Sequence, residues 1–131
     1  MVSEVNRLCI DKRTDVINFL LAVKRTLQNT SRDNPSWMIS TVREENMKTL
    51  SALEMNTNDV KDVILSLSLL DYIDGPFEDR SFPGQLWEFG KVVRGREVYI
   101  KLKLSSDKRE SWLRVLSYHF PNKPIIYPFR N

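Results

Sequence analysis

The stretch Glu97-Val98-Tyr99-Ile100-Lys101-Leu102-Lys103-Leu104 alternates without a break between apolar and polar residues. Successive strand side chains point to opposite faces. Val98, Ile100, Leu102 and Leu104 therefore line one face, and Glu97, Tyr99, Lys101 and Lys103 the other. The first face is a core. The second places a tyrosine beside two cations.

The strand has neighbours on both sides. Leu86 to Val93 reads as a strand, and Arg94-Gly95 sits where a two-residue hairpin turn is expected. Ser105 to Glu110 is polar and reads as a turn before a third strand, Ser111 to His119. Pro121 to Pro128 then finishes as an irregular edge. Upstream the period is helical. Thr14 caps a helix to about Gln28, with Val16, Leu20, Val23 and Leu27 at helical spacing. Residues 31–35 read as a loop, and Ser36 to Ser40 as a short edge strand. Thr41 and Glu44 have capping-box spacing for a helix to about Glu54. Asn58 caps a third helix carrying Val60, Val63, Ile64, Leu67 and Leu70. Asp71 to Gly84 holds two prolines and two glycines and reads as a long loop. Helices followed by a strand meander predict an α+β fold, with N-terminal helices packed on a C-terminal twisted antiparallel sheet. Residues 1–131 read as one domain.

Charge divides the chain in the same place. Residues 1–90 hold 10 Lys/Arg against 14 Asp/Glu, a net −4, and residues 91–131 hold 10 against 3, a net +7. A basic half of this kind suits a polyanion, and it also suits a basic sheet lying near acidic helices. The hydrophobic fraction of 41% and the charged fraction of 28% are those of a soluble globular protein. No apolar run approaches the roughly 20 residues of a membrane span, and no secretion signal is indicated. One cysteine, Cys9, and one histidine, His119, exclude an internal disulfide and a Cys/His metal cluster. A reducing, cytoplasmic location is expected. With four glycines and no phosphate-loop pattern, nucleotide-dependent chemistry is disfavoured.

The residues that remain suit metal-free acid/base chemistry. His119 is the side chain whose type exchanges protons most readily near neutrality, although a lone histidine at a strand end is commonly structural. Tyr99 can donate to phosphate or stack on a base, and Lys101 and Lys103 can neutralise phosphate oxygens. The bland alternative is solvated lysines that protect a sheet from edge pairing. Lys91, Arg94 and Arg96 around the hairpin extend the cationic surface. Glu88 falls on the opposite strand face from Trp87, Phe89 and Lys91, where it can serve as a general base or an ion-pair partner.

The ordered segments Asp62 to Leu67, Asp71-Tyr72, Gly75-Pro76, Asp79, Trp87-Glu88-Phe89-Gly90-Lys91, Glu97-Val98-Tyr99-Ile100-Lys101 and Leu116-Ser117-Tyr118-His119 resemble the motility quorum-sensing regulator (MqsR) toxin family. The branch with D-Y-x-x-G-P, W-x-F-G-K, E-V-Y-I-K and S-F-H, ending in Y-P-F, is the nearer match, and Tyr127-Pro128-Phe129 fits that ending. The resemblance covers about residues 40–131. It implies a RelE-like fold, the toxin of a toxin–antitoxin pair, and a ribosome-independent endoribonuclease of messenger RNA. The implied partners are single-stranded RNA and a cognate antitoxin protein, with no cofactor and no metal. Tyr99 matches the family's active-site tyrosine. His119 stands at the place of a lysine in the better-known branch, and Glu88 at the place of a glutamine. A further family lysine falls at Asp74, and Lys91, Lys101 and Arg80 are the candidates to replace its charge. The resemblance thus yields Tyr99, His119, Glu88 and Lys101 as expected catalytic residues. Lys91, Arg94, Arg96, Lys103 and Arg80 are the expected RNA contacts. Loss of the lysine also motivates a second expectation, a non-catalytic RNA- or protein-binding module on the same scaffold.

Overall fold

The computed structural model describes residues 4–31, 35–82, 84–107 and 110–130, with side chains described from residue 12 and not for 106–110. Cys9, most of the 31–35 loop and the centre of the 105–110 turn thus lie outside the described side chains or residues. Among the described residues three helices, with one strand between the first two, lead into four further strands: α1 (Glu4–Gln28), β1 (Trp37–Ile39), α2 (Glu44–Ala52), α3 (Thr57–Leu65), a 3-10 turn (Leu69–Asp71), β2 (Tyr72–Glu78), β3 (Gln85–Val93), β4 (Arg96–Asp107) and β5 (Glu110–His119). The sheet order is β1-β5-β4-β3-β2; β1 is parallel to β5 and the other pairs are antiparallel. The fold is α+β. Among the described residues, no helix is long and apolar enough to cross a membrane.

The alternating segment behaves as its pattern requires. Val98, Ile100 and Leu102 are fully buried in the cluster that also holds Phe89, Trp87, Leu113, Val115 and Tyr118. Helix α1 presents Val16, Leu20, Val23 and Leu27 to this cluster, all buried. Its Phe19 stacks on Trp87, with ring centroids 4.6 Å apart. At Arg94-Gly95 both residues have positive φ, 51° and 84°. That is the backbone a two-residue primed hairpin turn demands.

Several element boundaries differ from expectation. Helix α1 opens well before Thr14. Neither proline nor glycine interrupts residues 4–13, and a threonine inside an unbroken helix caps nothing. Helix α2 begins after Arg43 rather than at Thr41, with no side-chain cap. Helix α3 is capped by Asn56, not Asn58: Asn56 and Asp59 exchange reciprocal 2.9 Å bonds. It stops at Leu65, so Leu67 is buried from beyond the helix end. Finally, residues 72–78 form a strand rather than a loop. Pro76 and Gly75 conceal it in the sequence, but β2 is an edge strand with register shifts, where such residues are tolerated. In addition, β4 and β5 reach further into the 105–110 turn than expected.

The start of α2 is set by tertiary bonding. Strand β1 ends at Ile39, leaving the edge of β5 unpaired beyond Val115. The fully buried Asn46 continues the ladder there. Its amide donates to Leu116 O (3.1 Å) and Ser40 O (3.0 Å), and its carbonyl accepts from Tyr118 N (2.9 Å). Orphaned backbone groups at a buried edge are costly, so this side chain locks the N-terminus of α2 against the end of β5.

Candidate active site

On the face away from α1, register places Glu88 opposite Lys101 and Tyr99 opposite His119. Tyr99 donates its phenol hydrogen to Glu88 Oε2. Its ring lies 5.3 Å from the His119 ring at 35°. Burial, then the bond to Glu88 and the charge of that carboxylate, push the Tyr99 phenol well above its ordinary range, and only Arg43 pulls the other way. Tyr99 is therefore a neutral hydrogen-bond donor at physiological pH, not a base. His119 is mostly buried and its Nδ1 lies 3.0 Å from Phe120 O. A carbonyl oxygen can only accept, so Nδ1 carries hydrogen and Nε2 is the nitrogen left to exchange a proton. Nε2 lies 3.5 Å from the exposed Glu45 carboxylate.

Glu88, Tyr99 and His119 line a cavity of about 630 Å³, together with Asp74 and the chain segment from Pro121 to Ile126. The C-terminal segment, expected as an irregular edge, carries no strand and forms one wall. It is pinned by Tyr127, whose phenol donates to Glu97 (2.9 Å), and by Phe129, which stacks on Tyr72 (5.4 Å). The close crossing needs Gly90: a Cβ there would lie 2.5 Å from the Tyr127 oxygen. Arg130 completes the attachment with bonds to Leu70 O (2.8 Å) and Asp71 (2.9 Å).

Arginines and lysines line a neighbouring cavity instead. Arg43, held beside the sheet by the docking of Asn46, donates to Ser117 Oγ (3.1 Å). Arg43, Lys101 and Arg114 line a second cavity of about 230 Å³ next to the first, with Asp79 and Lys103. A bulge in β5 brings Arg114 there. Lys101 pairs with Ser117 but Leu102 pairs with Val115. Leu116 is therefore extra, and Arg114 comes opposite Lys103 on the outer face.

The structure thus brings together Tyr99, His119, Glu88 and Lys101. It does not bring Lys91, Arg94, Arg96, Lys103 or Arg80 to Tyr99. Lys91 lies on the helix-side face, 3.4 Å from Asp71. Arg94 binds Leu53 O, Glu54 O and Asp59. Arg96 sits over the Phe120 ring at 3.5 Å. Lys103 is buried, its ammonium 2.7 Å from Asp79. Arg80 is exposed in the β2–β3 connection and lines neither cavity. Three contributors escaped the sequence reading. Asp74 lines the cavity as a second carboxylate beside Glu88, and Arg43 and Arg114 supply cations. Arg43 lies on the loop into α2 and Arg114 on the far side of a bulge, so strand alternation marks neither.

No protein-family model matches the chain, and comparison with curated proteins and with solved structures returns no match.

Proposed function

We propose that the protein is an endoribonuclease that cuts single-stranded messenger RNA without a metal ion, acting in the cytoplasm as the RelE-like, MqsR-like toxin of a toxin–antitoxin pair. The observation that carries this reading is the Glu88–Tyr99–His119 cluster on an open sheet face with Arg43 and Lys101 at its side. In this mechanism the ribose 2′-oxygen attacks the adjacent phosphorus while Glu88 takes its proton. The bond from phosphorus to the 5′-oxygen breaks, and His119 Nε2 protonates that leaving oxygen. The products are a 2′,3′-cyclic phosphate and a free 5′-hydroxyl. Tyr99, kept neutral, turns its hydroxyl from Glu88 to a phosphate oxygen as the phosphorus becomes crowded and more negative, and Arg43 and Lys101 stabilise the added charge. Asp74, at the place of the family lysine, leaves Arg43 and Lys101 as the cations of this site.

The test is incubation of the purified protein with single-stranded RNA in excess EDTA, with the fragment ends analysed. Cyclic-phosphate ends that are lost in His119→Ala support the reading. Intact RNA, together with normal growth on expression, favours the non-catalytic binding module that the acid at position 74 also suits.

A further inference from the structure

We propose that the smaller cavity is a second nucleotide subsite, in which Arg114 holds the phosphate next to the scissile one, Arg43 and Lys101 bridge from that phosphate to the scissile one, and the Phe82 ring stacks on its base. The proposal rests on the reading of the larger cavity as an RNA site and adds a register to it.

Charge is the first support. Among the described residues, Arg43, Lys101 and Arg114 have no acidic partner within ion-pair distance, although all three line one cavity with Asp79. Asp79 is already committed to Lys103 at 2.7 Å. Among the described residues the cavity therefore keeps three uncompensated cations, an arrangement that a phosphate neutralises.

The second support is an aromatic ring held where a base would lie. Phe82 is 64% exposed, yet its position is built. Asp79 accepts from Ser81 N (2.9 Å), Phe82 N (3.4 Å) and Lys103 Nζ (2.7 Å). Lys103 also reaches Phe82 O (3.5 Å), and its stem passes so close to Gly84 that a Cβ there would meet it at 2.6 Å. The buried lysine is thus the post that fixes this loop and aims the ring at the cavity. Rigid exposed rings beside cations are the common means of binding single strands without reading sequence.

Spacing is the third. Tyr99 and Lys101 lie two residues apart on one face of β4. At the rise of an antiparallel strand, two residues span roughly 6–7 Å. That matches the step between successive phosphates of an extended single strand, so one strand can occupy both cavities.

The experiment measures binding of a labelled, fully 2′-O-methylated hexanucleotide, which has no free 2′-hydroxyl, by fluorescence anisotropy across a salt series. Arg114→Gln is expected to flatten the slope of log affinity against log salt by about 0.7, the value of one phosphate contact on a single strand. Phe82→Ala is expected to weaken binding about fivefold or more without changing the slope. Both side chains are exposed, so the folded protein is retained. Lys48→Gln, on the exposed face of α2, serves as the control and should match wild type. Wild-type affinity and slope in both Arg114→Gln and Phe82→Ala overturn the subsite, as does failure of the wild type to bind. If the two variants behave as expected while unmodified RNA stays uncut, the subsite stands and the cleavage reading falls. If RNA is cut and both variants bind like wild type, the subsite alone falls.

Discussion

The Tyr99 phenol donates to the Glu88 carboxylate across the β3–β4 pair, and the same phenol ring faces His119 across the β4–β5 pair. One strand residue thereby links a proton acceptor and a proton carrier that the chain holds 31 positions apart. Glu88→Gln preserves the size of the side chain and removes the base, so kcat is expected to fall about 10²- to 10⁴-fold with KM little changed. Tyr99→Phe removes one donor and should cost on the order of 10²-fold. Steady-state cleavage kinetics check both, and an unaffected kcat in Glu88→Gln removes Glu88 from the mechanism.

Asn46 joins α2 to the open edge of β5 with two hydrogen bonds and to Ser40 with a third, and its side chain is fully buried. Asn46→Ala leaves Tyr118 N–H and the carbonyls of Leu116 and Ser40 without that partner. Unfolding stability is expected to drop by about 2–4 kcal/mol. Urea titration should show a lower midpoint with an unchanged m-value, and a midpoint equal to wild type would refute the proposed docking role.

All four tyrosines are held in the phenol form. Burial is the main cause at each, raising Tyr72 to about 12 and Tyr99, Tyr118 and Tyr127 further. A pKa raised by folding means stability that is complete below the ordinary phenol value of 10.0 and is lost as pH climbs toward the folded values. Phenolate absorbance is therefore expected to appear together with loss of the near-ultraviolet circular dichroism signal. Independent ionisation near pH 10 in a protein that stays folded would show that the rings are accessible.

The Lys103 ammonium, followed by the backbone bond from Ser81, holds the Asp79 carboxyl down at about 2 from its ordinary 3.8. The folded value is the lower one, so this contribution to stability is complete above about pH 4 and disappears as pH falls toward about 2. Thermal melts of wild type and Asp79→Asn should differ by a constant amount near neutrality and converge over that acid window. A gap in melting temperature that persists at pH 2 contradicts the assignment.

Much of the scaffold is legible in the residues because the legible parts are local. Strict alternation in 97–104, the Arg94-Gly95 turn and the four-point stripe of α1 each fix their own backbone. The departures arise where a distant contact decides. Thr41 has capping-box spacing, but α2 starts two residues later, where Asn46 bonds to β5. Tyr72 to Glu78 contains a proline and a glycine, and it becomes a strand because an edge position tolerates both. The site divides the same way. Tyr99, Glu88 and Lys101 lie on strands whose alternation places them on one face. Lys91, one residue out of phase with that face, goes to the helix side and pairs with Asp71. Arg114 follows Val115 and Leu116 backward from Ser117 at odd spacing, and only a bulge turns it to the face of Lys101. Lys103 keeps the expected parity, yet Asp79 folds over it and takes its charge. A partly buried ion pair between residues 24 apart has no signature in a single sequence.

Cleavage by the 2′-hydroxyl is tested by mapping the cut in an RNA oligonucleotide and then replacing the ribose 5′ of that bond by 2′-deoxyribose. Metal-free transesterification on the Glu88–Tyr99–His119 face predicts that the parent is cut in EDTA to a 2′,3′-cyclic phosphate, and that the single deoxy substitution abolishes cutting at that bond. Cutting that survives the substitution, or that stops when EDTA is added, would contradict it.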